Sequence, residues 1–155
     1  MSHLKDFLTL ENQLCFAVYE AGSQFNKLYT KALDSFGLTY PQYLVLLALW
    51  EKNDLTAKEL GEKVNLGTGT LTPMIKRMEA NGWVKKERSA IDERKVSISL
   101  QPKALEEKQA IVQKIATELK TCNIEYEEYE QLMNQLRVLR NKLSKHNNKI
   151  YILSK

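Results

Sequence analysis

The spacing of apolar residues changes at Gly82, and that change limits the fold more than any other feature of the chain. Up to Asn81 apolar side chains recur every three or four positions, which marks one face of a helix. Beyond it the period changes to two: Trp83 to Arg88 reads as one strand, and Val96, Ile98 and Leu100 alternate with Ser97 and Ser99 as its partner. A period of two belongs to strands with one covered face, so these segments are expected to pair as a hairpin across the charged loop 89–94.

The residues before Gly82 describe two short helices. Thr56 and Glu59 have capping-box spacing, in which each side chain satisfies a free backbone N–H at a helix start. The helix they open is expected to turn Ala57, Leu60 and Val64 inward. The run Asn65-Leu66-Gly67-Thr68-Gly69 breaks it, and a second helix over Thr70 to Asn81 directs Leu71, Ile75 and Met78 to the core. Pro73 is best placed in a first turn, so that helix start is open by about four residues. Two short helices around a glycine-bearing turn, followed by a hairpin, make a winged helix-turn-helix.

The flanks are helical. Leu14, Val18, Ala21, Phe25, Leu28 and Ala32 form an apolar seam of alternating four- and three-residue steps, ending near Gly37. Pro41 opens a second helix that is apolar nearly all round. After Pro102 come Leu105, Ile111, Val112, Ile115, Leu119 and Cys122, then a further helix with Tyr126, Tyr129, Leu132, Met133, Leu136, Leu139 and Leu143. These stripes exceed what one small head can cover, so they are expected to bury each other and a second copy of the chain. The organisation expected is a mainly α, single domain over 1–155. In it, 38–103 is the winged helix-turn-helix DNA-binding region, and 4–36 and 104–147 form a helical dimerisation region. The apolar tail 149–155 has no role legible in sequence.

Charge is informative through its placement. The segment 56–103 holds ten basic and six acidic side chains, a local excess equal to the +4 of all 155 residues. That is the footprint of a nucleic-acid partner, although a solvated surface of scattered charge remains open. No apolar run of 18 residues and no signal-peptide core are present, so a cytoplasmic protein without a membrane partner is expected. Metal-ligand clusters and nucleotide loops are missing from the sequence, so no metal, no cofactor and no enzyme activity are expected.

In a helix-turn-helix the second helix enters the major groove. Its start offers Thr68, Thr70 and Thr72, small hydroxyl side chains able to approach phosphates or base edges, or simply to cap the helix. Lys76 and Arg77, one turn on, suit phosphate contacts that position the helix. Along the hairpin Arg88 and Lys95 extend the basic surface, and Arg94 is placed to enter a minor groove with Asp92 holding its side chain.

Cys15 and Cys122 lie too far apart in sequence for a CxxC motif, and in a reducing compartment both rest as thiols. Tyr19 sits one helical turn from Cys15. Tyr29 is about 21 Å further along the same helix and meets Cys15 only if a second copy runs antiparallel to the first. The same residues permit Cys15 to be a small core hydrophobe and the tyrosines to be packing.

Leu60-Gly61, Thr70-Leu71-Thr72-Pro73 and Asp92-x-Arg94 followed by an apolar strand resemble the multiple-antibiotic-resistance regulator (MarR) family over nearly the whole chain. Gln101-Pro102-Lys103-Ala104 departs from it where many members have a threonine and a glycine turn. The resemblance implies a homodimer with interlocked terminal helices and two heads on a pseudo-palindromic operator in double-stranded DNA. Leu14-Cys15-Phe16 with Tyr19, Tyr29 and Tyr40 looks like the organic-hydroperoxide regulator (OhrR) branch. That likeness implies Cys15 as the peroxide-sensing thiol, the three tyrosines as its hydrogen-bonding partners and Cys122 as the resolving cysteine of a two-cysteine subtype. The function so implied is a transcriptional regulator, a repressor, that releases DNA when peroxide oxidises Cys15. Two alternatives stand beside it: a repressor answering a small phenolic ligand, and a thiol peroxidase.

Overall fold

The computed structural model describes residues 7–153, with side chains described through residue 148. After a 3-10 turn at Leu10–Asn12, helix α1 spans Leu14–Leu33 and runs into a second 3-10 turn, Asp34–Phe36. Gly37 closes that turn at φ 67°, a left-handed conformation open to glycine at no steric cost. Helix α2 covers Tyr40–Glu51. Thr39 caps it: the Thr39 hydroxyl accepts from the Gln42 N–H, and the Gln42 side chain accepts from the Thr39 N–H. The Thr39 box adds to Pro41, the helix-start signal expected from sequence.

Strand β1 (Leu55–Thr56) leads into α3 (Ala57–Val64), and α4 follows at Thr68–Ala80. The expected Thr56 box is present, with Glu59 Oε2 accepting from Thr56 N–H at 2.8 Å. Leu60 is fully buried, whereas Ala57, expected inward, is exposed because it opens the helix at its free end. The left-handed residue of the turn is Asn65, at φ 55°, and Gly67 keeps an ordinary negative φ. Gly61 matters for a different reason. A Cβ there would stand 2.9 Å from the Leu66 carbonyl oxygen, so glycine lets the turn fold back against α3.

Gly82, at φ 81°, ends α4 as expected, with Trp83 N–H donating to the Met78 carbonyl at 2.9 Å. Strands β2 (Val84–Arg88) and β3 (Val96–Leu100) pair antiparallel, Val84 opposite Leu100 and Arg88 opposite Val96. The hairpin is joined by β1 to give a three-stranded sheet in the order β1-β3-β2. Two residues are too short for a periodicity to register, so β1 was not foreseen. It makes β3 the central strand and buries Ser99, which simple alternation turns outward.

The single helix expected after Pro102 is divided into α5 (Pro102–Glu106) and α6 (Lys108–Thr121). Leu105 is exposed rather than inward, while Ile111 and Ile115 are buried. Helix α7 spans Tyr126–Leu153, so the backbone of the tail continues the helix to Leu153; residues 154 and 155 lie outside the described residues.

The chain forms two compact units, residues 1–115 and 116–155. In the first, Leu46, Leu49, Leu60, Ile75, Trp83 and Ile98 are at most 2% exposed and make a core shared by α2, α3, α4 and the sheet. The seam of α1 is left uncovered at its N-terminal end: Leu14 is 63% exposed, and Val18 and Phe25 are exposed too. In the second unit Tyr126, Tyr129, Leu132, Leu136 and Leu143 are exposed along α7.

Candidate nucleic-acid interface and thiol positions

Helix α4 begins at Thr68, two residues earlier than expected, with its first turn closed on the Gly67 carbonyl by the Thr70 and Leu71 N–H groups. Pro73 therefore lies inside the helix, where the N–H that it lacks would have paired with the carbonyl of Gly69. Gly69 is exposed, so water can satisfy that carbonyl. Leu71, Met74, Ile75 and Met78 anchor one face of α4 in the core, which turns Thr68, Thr70, Thr72, Lys76 and Arg77 to the surface.

The wing is tied to α4 as well as to the sheet. Glu79 Oε2 accepts from Lys86 N–H at 2.7 Å, occupying an outward-facing donor of the edge strand β2. At the tip Ser89 Oγ accepts from the N–H groups of Ile91 and Asp92, and Lys95 O accepts from Ser89 N–H at 2.8 Å. Asp92 Oδ1 accepts from the Arg94 backbone N–H at 3.1 Å, so the grip of Asp92 on Arg94 is through the main chain and not, as expected, through the side chain. Lys85 and Glu87 pair at 2.7 Å along β2, and that carboxylate raises the Lys85 pKa above its ordinary value.

Between α3, α4 and the wing runs an open groove of about 910 Å³. It brings Thr68 and Thr72 of α4 together with Arg94 and Lys95 of the wing. Lys58 and Lys86 also line it and were not singled out in sequence; their only signal was the local excess of base. Thr70, Lys76, Arg77 and Arg88 are exposed but do not line this groove. At the start of α3 the Thr56 backbone N–H and hydroxyl hold the Glu59 carboxyl below its ordinary value, helped by the charges of Lys52 and Lys95.

Cys15, in the first turn of α1, is exposed. Tyr19, 71% exposed, stacks on Phe16 with ring centroids 6.3 Å apart. Tyr29 lies on Tyr40 at 4.7 Å and beside Tyr43 at 5.6 Å, forming an aromatic layer between α1 and α2. Helix α1 is unbroken, so Tyr29 stands about 21 Å along its axis from Cys15. Within one chain Tyr19 is the tyrosine one helical turn from the thiol on α1, and the buried Tyr43 is a further member of the layer, without a signal in the sequence pattern. In the second unit Cys122 follows the end of α6, exposed, with its Sγ 3.5 Å from the Glu118 carbonyl oxygen. Among the described residues no three His, Cys, Asp or Glu side chains gather as a metal would need, and no helix is long and apolar enough to cross a membrane.

The model of the transcriptional regulator SarA/Rot family matches residues 27–115. An organic hydroperoxide resistance transcriptional regulator of Bacillus subtilis is 51% identical over 100 residues, covering 64% of this chain and 68% of the relative. Among solved structures, reduced AbfR bound to DNA is 40% identical with a TM-score of 0.76 over 86% of this chain and 94% of that one. Disulfide-formed AbfR is 38% identical with a TM-score of 0.65 over 90% and 98%. AbfR is a Staphylococcus epidermidis protein.

Proposed function

Because the chain belongs to the SarA/Rot family of MarR-type winged-helix transcriptional regulators, we propose that it is a homodimeric, peroxide-sensing repressor that leaves its operator when Cys15 is oxidised. The observation that carries the DNA part is the groove in which Thr68 and Thr72 of α4 face Arg94 and Lys95 of the wing. A duplex seated there meets α4 in its major groove and the wing along the adjacent minor groove. Thr70, Lys76, Arg77 and Arg88 add backbone contacts, and the Asp92 bond holds the wing tip in shape. AbfR, likewise, has been solved on DNA in its reduced form.

The division of labour proposed is 38–103 for DNA and 4–36 with 104–147 for dimerisation, in a cytoplasmic protein. The uncovered seam of α1 and the exposed apolar side chains of α7 are surfaces that a second copy would cover. An antiparallel pairing of two α1 helices would carry Tyr29 and Tyr40 of one protomer to Cys15 of the other, with Tyr19 supplied in the same chain.

There the tyrosine hydroxyls would stabilise the thiolate, the form that reacts. The thiolate sulfur attacks the distal oxygen of an organic hydroperoxide, the O–O bond breaks, and with one proton the products are the Cys15 sulfenic acid and the alcohol. The Cys122 thiol then attacks that sulfur, forming a disulfide and releasing water. A disulfide requires Cα atoms within about 7 Å, so closing it constrains the helices that space the two heads. AbfR, for comparison, has been solved with its disulfide formed.

The test is a DNA titration of the reduced parent, Cys15→Ser and Cys122→Ser, each with and without cumene hydroperoxide. The parent should lose affinity on oxidation. Cys15→Ser should bind as the reduced parent does and ignore the oxidant. Cys122→Ser should still respond but give no covalent dimer on a non-reducing gel. If Cys15→Ser releases DNA under oxidant as the parent does, the thiol mechanism is wrong.

A further inference from the structure

The wing ends in an apolar residue whose whole side chain faces solvent. Ile91 is 98% exposed, more than any other large hydrophobic side chain among the described residues, and its neighbours in the loop include Asp92, Glu93, Arg94 and Lys95. Scattered surface apolar residues are ordinary. Ile91 differs in how it is held. The Ser89 hydroxyl takes its backbone N–H and that of Asp92, and the Ser89 N–H closes the loop on the Lys95 carbonyl. The loop is therefore shaped with Ser89 and Asp92 half-buried and Ile91 projecting. Arg94 turns back to line the groove beside α4, whereas Ile91 does not line it.

We propose that Ile91 is the apolar contact of the wing with duplex DNA, resting against the deoxyribose walls of the minor groove and making binding sensitive to groove width there. The inference rests on the reading of the wing as a DNA contact and adds to it a residue without charge. The sugar C–H groups lining a minor groove are an apolar surface that a duplex offers outside its stacked bases, and proteins that enter that groove use apolar side chains, isoleucine among them, beside their basic ones. Burial of an isoleucine side chain against that surface removes it from water in the complex only, so its contribution goes to binding and not to folding. A β-branched side chain is also stiff about χ1, which limits the entropy lost on contact.

An apolar contact and an ionic one leave different signatures. Neutralising phosphates releases counterions and makes log K fall steeply with log salt, whereas burying a methyl group does not change that slope. The experiment uses the full chain, reduced, and a duplex that the parent selects from a random library. Parent, Ile91→Ala, Ile91→Leu and Arg94→Ala are titrated at several salt concentrations, and the selection is repeated with Ile91→Ala. Ile91→Ala should bind roughly 3- to 10-fold more weakly with an unchanged salt slope. Ile91→Leu should recover most of that loss, and Arg94→Ala should weaken binding with a slope smaller by about one per wing. Base preferences should relax in the repeated selection at the outer positions under the wing, and persist at those under α4.

The proposal is overturned if Ile91→Ala binds the selected duplex as tightly as the parent, or if its loss is accompanied by a shallower salt slope. A parent that selects no duplex would overturn the wing reading and this inference together. Because Ile91 touches solvent on all sides, the thermal unfolding of Ile91→Ala should match the parent, so a binding loss is not a folding loss.

Discussion

The Trp50 indole N–H donates to the carbonyl of Ala104 at 3.0 Å, joining α2 to the start of α5 across 54 positions of sequence. Around this bond the chain that leaves the wing is fastened to the head at several points. Lys103 lies over the Trp83 ring at 4.4 Å and donates to the Asn81 carbonyl, and Lys108 lies over Trp50 at 5.6 Å. The Gln101 backbone N–H donates to the Trp83 carbonyl at 3.0 Å. The exit of the wing is thus a rigid joint built on the two tryptophans of the chain.

Replacing Trp50 by phenylalanine keeps most of the ring and removes its N–H. The Ala104 carbonyl, on a fully buried residue, is left without that donor. A loss of about 1–2 kcal/mol is expected, since removing one partner of a buried pair exposes the desolvation cost of the other. Urea unfolding should show a lower midpoint with an unchanged slope.

Gly61→Ala sets two effects against each other. Alanine favours a helix by about 1 kcal/mol over glycine. Its Cβ, however, would stand 2.9 Å from the Leu66 backbone oxygen, and that oxygen belongs to the turn whose N–H is bonded back to Gly61. Overpacking of this kind costs about 1–3 kcal/mol, so net destabilisation is expected, with weaker DNA binding from a displaced α4. Calorimetry of the variant checks the sign.

Asp92→Ala removes the acceptor of the Arg94 N–H, which lies in an exposed loop away from the core. Folding stability should stay within about 0.5 kcal/mol of the parent, as for surface changes generally. Affinity for DNA should fall several-fold as the wing tip loses its shape. Asp92→Asn keeps an acceptor oxygen in place and should recover most of the affinity; paired thermal melts and binding titrations separate the two effects.

Glu59 provides a pH signature. Its folded-state pKa lies below the ordinary 4.5, so its contribution to stability is present above 4.5 and is lost as pH falls through the lower folded value. Glu59→Gln carries no titrating carboxyl. Melting temperatures measured from pH 6 to pH 3 should decline less steeply for Glu59→Gln than for the parent. Equal declines would show that the Thr56 box does not bias this carboxyl.

Much of the head was legible in the order of residues. The Thr56 box, the stop at Gly82 and the hairpin strands all act over fewer than five positions or through a simple period, so sequence carries them directly. What was missed depends on distant partners. Strand β1 exists because Leu55 meets Ile98, and Ser99 is buried because that pairing makes β3 central. Ala57 and Leu105 read as inward by period alone, and both are exposed, since a period marks a face without telling whether anything covers it. Similarly, the left-handed residue of the turn is Asn65 and not a glycine; asparagine tolerates that region, so local chemistry allowed either.

The opening change of period at Gly82 determined, from sequence alone, that two helices precede a hairpin. It did so because helix and strand repeats are backbone properties that apolar residues report without reference to the rest of the chain. Only the tertiary structure decided which side chains meet. Thr68 and Thr72 share a groove with Arg94 and Lys95 because Glu79 ties β2 to α4, and Tyr29 stacks on Tyr40 because α1 crosses α2. Those juxtapositions depend on how packed elements are held against one another in space, and no spacing along the chain encodes that distance.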